Sequence, residues 1–150
     1  MKKLLSLALI GSLGFSATLV VEKCHTEGIV QICYKCTSGT GYKTIADALN
    51  NASSGDEIVI CPNFGGIKAT YNESDLNISE TNLYIHSYKN DASKVEIYDD
   101  SGNPIFNIKS SGTDLEALTI TQNSSTKALY VTSKNKLTLK DLVVSSQGGI

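Results

Sequence analysis

The chain has 150 residues, is 41% hydrophobic and carries a formal charge of -2, enough for one ordinary core but not for a nucleic-acid-binding surface. All 13 basic residues are Lys, so the side chain best suited to bidentate phosphate or carboxylate recognition is missing. Ser, Thr and Asn supply 42 residues and Pro only two, a composition of turn-rich β structure rather than of disorder.

In chain order, the first segment reads as an export signal over residues 1–17. Lys2 and Lys3 precede an apolar run from Leu4 to Ile10 that resumes at Leu13, and small residues follow at Ser16 and Ala17. Gly11, Ser12 and Gly14 interrupt the run, which is too short for a comfortable membrane span. The expectation is a secreted or cell-envelope protein with no membrane segment after cleavage.

Residues 18–41 read as a Cys-rich cap. Two strands around His25, Thr26, Glu27 and Gly28 form a hairpin that brings Cys24 near Cys33 and leaves Cys36 for Cys61. The rival readings of Cys36 with its Cys-x-x-Cys neighbour Cys33 are a metal site completed by Cys24 or His25, or a redox dithiol. An oxidising compartment favours disulfides, and no metal or cofactor is expected.

Thr44 is a plausible N-cap for a short helix that buries Ile45, Ala46 and Leu49, and Asn51 to Gly55 ends it before a strand from Glu57 to Cys61. From residue 83 onward, apolar triplets recur. Leu83–Ile85, Phe106–Ile108 and Leu129–Val131 form one series, Val95–Ile97, Leu118–Ile120 and Leu142–Val144 a second, and Leu115 with Leu139 a third. The common interval is about 23 residues, and each triplet places two apolar side chains on one face. Residues 42–150 are therefore expected to form an all-β fold, a parallel β-helix with three strands per coil, in which Ile85, Ile108 and Val131 stack; a β-sandwich is the alternative. Leu137–Leu139 and Leu142–Val144 fall in the last coil, and Ile150 lies near the start of the next, so the chain is expected to be interrupted there.

The stretch YKTIADALNNASSGDEIVICPN, followed by LNISETNLYIHS, VEIYDD, IFNIKSSGTDLEALTIT and ALYVTSKNKLTLKDLVVSS, resembles the N-terminal coils of right-handed parallel β-helix, or pectin-lyase-like, proteins. The resemblance implies a short capping helix and two-residue bends, here Glu116-Ala117 and Lys140-Asp141. It implies polysaccharide chemistry or surface adhesion. A lyase of that family uses an Arg base, which this chain lacks.

Candidate site residues are few. Asp99 and Asp100 are the adjacent acidic pair in the repeat and the candidates for acid–base catalysis on a polysaccharide. Tyr84, Asn107 and Tyr130 fall at one point of successive coils and are the candidates for sugar binding, with a ladder that stabilises the fold as the competing role. Lys94, Lys127, Lys134, Lys136 and Lys140 read as solvated lysines that discourage strand pairing. Asn51, Asn72, Asn77 and Asn123 begin Asn-x-Ser sequons. The expected function is a non-catalytic secreted surface protein that binds a polysaccharide or a host or cell-surface glycan, or serves as a scaffold. The alternative is a polysaccharide-acting lyase or glycoside hydrolase whose site lies mostly beyond Ile150.

Overall fold

The computed structural model describes residues 16–132 and 136–148. Most of the expected export signal, Lys134, and Ile150 with the coil start assigned to it lie outside the described residues.

Among the described residues, fifteen strands and one α-helix follow in order: β1 (Thr18–Val21), β2 (Lys23–Glu27), β3 (Val30–Tyr34), β4 (Thr40–Tyr42), α1 (Ile45–Asn51), β5 (Glu57–Ile60), β6 (Ala69–Asn72), β7 (Leu76–Ile78), β8 (Tyr84–Ser87), β9 (Val95–Asp99), β10 (Phe106–Ile108), β11 (Thr113–Glu116), β12 (Thr119–Gln122), β13 (Leu129–Val131), β14 (Leu137–Lys140) and β15 (Val143–Ser146). They make a six-stranded parallel sheet in the order β14-β11-β8-β5-β1-β4, a three-stranded one in the order β13-β10-β7 and a four-stranded one in the order β15-β12-β9-β6; β2 and β3 form a separate antiparallel hairpin.

This corrects the expected single closed β-helix. The hydrogen-bonded ladders run within three separate parallel sheets, accompanied by a little helix, and do not join into one closed β-helix. Bends separate the sheets: Ala117, between β11 and β12, has φ 54°, and Asp141, between β14 and β15, has φ 51°. The antiparallel sandwich is excluded equally, because every pairing in the three sheets is parallel.

The expected stack of Ile85 on Ile108 and Val131 is also overturned. Ile85 pairs with Ile58 and Leu115 in the six-stranded sheet, whereas Ile108 pairs with Ile78 and Val131 in the three-stranded one. The physical cause is uneven connection length. Ile58, Ile85, Leu115 and Leu139 recur at 27, 30 and 24 residues, so the matching 23-residue step from Leu83 to Phe106 joins two different sheets. In the other series, Ile97, Ile120 and Val144 do share a register.

Strand alternation explains the core. In β9 and β11 every second side chain is buried, as a sheet with one face inward requires. Ile58, Ile85 and Leu115 are fully buried in the first sheet, Ile78, Ile108 and Phe106 in the second, and Ile97 and Ile120 in the third, and all belong to one apolar cluster. Helix α1 covers part of it with Ile45, Ala48 and Leu49, while Ala46 is only partly buried. The Thr44 hydroxyl accepts from the Asp47 amide, and the Glu73 carboxylate accepts from the amides of Ile45 and Ala46 at 2.9 and 3.0 Å, so three first-turn donors have partners.

The cysteines pair as Cys24–Cys33 and Cys36–Cys61. The first crosses the β2–β3 hairpin, whose turn lies at Gly28 and Ile29, so that His25, Thr26 and Glu27, expected in the turn, belong to β2. The second ties the segment after β3 to the end of β5. Strands β1 and β4 flank the hairpin in sequence yet extend the six-stranded sheet beside β5.

Candidate functional site

Two loops and the end of the hairpin enclose a hollow of about 440 Å³, lined by Tyr34, Pro62, Gly65, Gly66, Tyr88, Lys89, Asp91 and Lys94. Tyr34 ends β3, and the Cys36–Cys61 bond holds that end beside Pro62. Phe64 meets the Tyr34 ring edge-on, with centroids 5.4 Å apart, while remaining 75% exposed.

The Pro62–Lys68 loop is braced by its own backbone. The Asn63 amide donates to the Ile67 carbonyl at 2.8 Å, and the Asn63 side-chain amide donates to the Lys68 carbonyl at 2.7 Å. Gly65 and Gly66 have φ of 72° and 74°, and a Cβ at either would meet open space, so the backbone conformation is what calls for glycine.

The opposite wall follows β8. A short 3-10 turn, Tyr88–Asn90, carries Lys89 and Asn90 in the left-handed region, and the Lys89 ammonium lies 5.4 Å from the Tyr88 ring centroid. Asp91 then accepts from the Ser93 hydroxyl at 2.6 Å and the Ser93 amide at 3.0 Å. Those bonds, aided by the Lys94 charge, hold the Asp91 carboxyl below the usual carboxylate range. The hollow thus combines two tyrosines, two ammonium groups and one ionised carboxylate.

A second hollow of about 310 Å³ shares Tyr88 and Lys89 and adds Thr18, Thr37, Ser38, Glu57, Val59 and His86. Here Glu57 lies 3.0 Å from His86 Nε2 and accepts from the Thr18 hydroxyl at 2.9 Å, while His86 Nδ1 is 2.8 Å from the Ser87 carbonyl. The Tyr84 ring stacks on His86 at 4.2 Å and donates its hydroxyl to Glu116 at 2.7 Å; Glu116 in turn pairs with Lys140. Burial, then the bond to Glu116, pushes the Tyr84 phenol up to about 12. Bonds from Lys140 and Tyr84 hold the Glu116 carboxyl below its usual value, which suits an ion pair and not a general acid.

The sequence-derived candidates are dispersed. Asp99 is 8% exposed and accepts from the Ser101 amide, the Ser101 hydroxyl and Gln122 Nε2, so it braces a turn; Asp100 is exposed beside it. Neither lines the hollow. Tyr84 is separated from the expected ladder: Asn107 pairs with Tyr130 and Asn77 in the three-stranded sheet, while Tyr84 pairs with Glu57 and Asp114 in the first. Tyr130 is 51% exposed and lines a smaller hollow with Lys127, Leu129, Val131 and Leu139. Among the five singled-out lysines, Lys94 reaches the main hollow and Lys140 forms the ion pair. Sequence reading missed Tyr34, Tyr88, Lys89 and Asp91. Their one advance signal was the position of Tyr34 inside the Cys-rich stretch, two residues before Cys36.

A metal reading of the cysteines fails on bonding. Glu22, Cys24 and Cys33 offer atoms within 4.8 Å of one another, but the two sulfurs are bonded together and present no thiolate. No protein-family model, curated protein or solved structure matches the chain.

Proposed function

We propose that this is an exported surface or cell-envelope protein that binds a glycan in the hollow between Tyr34 and Tyr88. The observation that carries the reading is the lining itself. Two aromatic rings offer apolar faces for sugar rings, while Lys89, Lys94, Asp91 and the Gly65–Gly66 backbone offer donors and acceptors for hydroxyl groups. With two ammonium groups against one carboxylate, the hollow suits an acidic saccharide bearing carboxylate or sulfate. Two disulfides support an oxidising compartment, and no helix among the described residues is long and apolar enough to cross a membrane.

The polysaccharide-acting alternative gains no support from Asp99 and Asp100, whose positions lie away from the hollow. The resemblance to pectin-lyase-like proteins rests on the chain's own residues and does not supply the site.

Titration calorimetry with uronic-acid oligosaccharides and their neutral counterparts tests the proposal. Tight binding of the acidic series, weakened about tenfold or more by Tyr34→Ala or Tyr88→Ala and reduced by added salt, is expected. Equal affinity of the two tyrosine variants and the parent protein would sink it, as would the absence of binding to either series.

A further inference from the structure

Asp56, immediately before β5, is a nearly buried carboxylate held against the residue that precedes β1. Asp56 is only 6% exposed, and its Oδ2 accepts from the Ser53 amide at 2.7 Å. Its Oδ1 accepts from the main-chain nitrogen of Ala17 at 2.8 Å, across 39 residues of sequence. The Ala17 carbonyl is engaged as well, accepting from the Glu57 amide at 3.0 Å. Among the described residues, then, a nearly buried acid is met at its side-chain oxygens by two neutral peptide N–H groups. Burying a carboxylate is costly without a partner of opposite charge.

Resting on the export reading above, we infer that the mature chain begins at Ala17 and that its α-ammonium is the counter-ion of Asp56. Water, with a host signal peptidase as catalyst, adds to the Ser16 carbonyl carbon and the Ser16–Ala17 C–N bond breaks. Ser16 leaves as the carboxylate of the leader, and the Ala17 nitrogen takes both protons of the water to become an ammonium. No oxidant or further reactant is needed.

The flanking sequence fits that bond. Cleavage there places Gly14 and Ser16 three residues and one residue before the cut, both small, as the peptidase pattern requires. Cleavage one residue later places Phe15 in the first of those positions. It also removes both the nitrogen that Asp56 holds and the carbonyl that receives the Glu57 amide. The structure therefore favours the earlier bond on geometry as well as on residue size.

The pair couples the new terminus to the first sheet. Glu57 follows Asp56 directly and is bonded to the Thr18 hydroxyl and to His86, and Tyr84 of β8 pairs with Glu57, so Asp56, Glu57, His86 and Tyr84 are the titratable groups that these contacts bring to the terminus. The two acids favour the ammonium, and protonated His86 opposes it from behind Glu57. An ammonium held by Asp56 retains its proton above the ordinary α-amino pKa of about 7.7–8.0.

The experiment is export of the full chain from a secreting bacterial host, followed by intact mass, N-terminal sequencing and NMR titration of the Ala17 signals. An N-terminus at Ala17 whose α-amine titrates at least one unit above the ordinary value, returning toward it in Asp56→Asn, is the expected result. A chain that keeps Met1 overturns both this inference and the export reading. An exported chain cut at another bond overturns the inference alone, and so does an Ala17 α-amine with an ordinary pKa. That last measurement uses the unsubstituted protein, so it stands even if Asp56→Asn does not fold.

Discussion

Replacing Cys36 and Cys61 with Ala tests the link between covalent structure and the glycan hollow. The bond closes a segment of 25 residues and joins the end of β3, with Tyr34, to the end of β5, with Pro62. In the chain-entropy description, a loop of that length is worth about 3.5 kcal/mol at 25 °C. The Cys24–Cys33 bond closes only nine residues, worth about 2.6 kcal/mol on the same basis, and lies within a hairpin already paired by β2 and β3. Cys61 is fully buried, so its truncation adds a packing loss that the half-buried hairpin cysteines do not match. Urea denaturation of the two double variants should therefore rank the loss at Cys36–Cys61 above that at Cys24–Cys33 by about 1 kcal/mol or more. Affinity should divide more sharply. Without Cys36–Cys61 the Tyr34 wall loses its tether and acidic-oligosaccharide binding weakens, while loss of Cys24–Cys33 leaves it near the parent value. Equal stability losses, or unchanged affinity without Cys36–Cys61, would refute the reasoning.

Other consequences are equally specific. Asp99→Ala strands the donors of Gln122 and Ser101 and should cost about 1–3 kcal/mol, measured by thermal or urea unfolding, without altering glycan binding. Burial pushes the Asp99 carboxyl up, but bonds from Gln122 and Ser101 outweigh it and leave the folded value depressed. The Asp99 contribution is thus present above the unfolded value of about 3.9 and lost as pH falls through the lower folded value, a dependence that Asp99→Ala removes. Gly39→Ala should destabilise by about 3 kcal/mol in the same assay, because a Cβ there would lie 2.4 Å from the Thr18 carbonyl oxygen at φ 140°. Alkaline titration followed by tyrosinate absorbance should show Tyr84 ionising near 12, and lower in Glu116→Gln. Since that folded value is raised, its contribution to stability is complete below the unfolded value of about 10 and is lost as pH rises through the folded one. Val131, Leu139 and Val143 are 43%, 45% and 56% exposed on the outermost strands of the three sheets, and Leu139→Lys with Val143→Lys should reduce self-association in light scattering.

The local alphabet of the fold was legible because its causes are local. Period-two burial marks β9 and β11, the Thr44 cap marks α1, and the bends at Ala117 and Asp141 fall within the dipeptides that looked like corners. Register within a series was legible where the connections kept nearly equal length, as from Ile97 to Ile120 to Val144. It failed at Leu83, because a loop can gain or lose residues at small entropic cost while the strands it joins keep their places. A constant spacing is evidence of stacking only when the intervening loops are also constant, and here they are not.

The same reasoning explains why the hollow was illegible. Tyr34, Gly65 and Tyr88 lie in the three stretches that break the strand rhythm: the end of the hairpin, the glycine loop and the 3-10 turn. The glycine loop and the 3-10 turn depart from β geometry through Gly65 and Gly66 and through Lys89 and Asn90 at positive φ, while the end of β3 is held in place by a disulfide, and none of these features has a period. Strands constrained by their neighbours can keep a pattern but expose only alternating side chains; loops free of that constraint can turn several side chains toward one point. A search by period therefore finds the scaffold first and passes over the residues best placed to bind. In this chain the disulfide was the one covalent sign that two such loops meet.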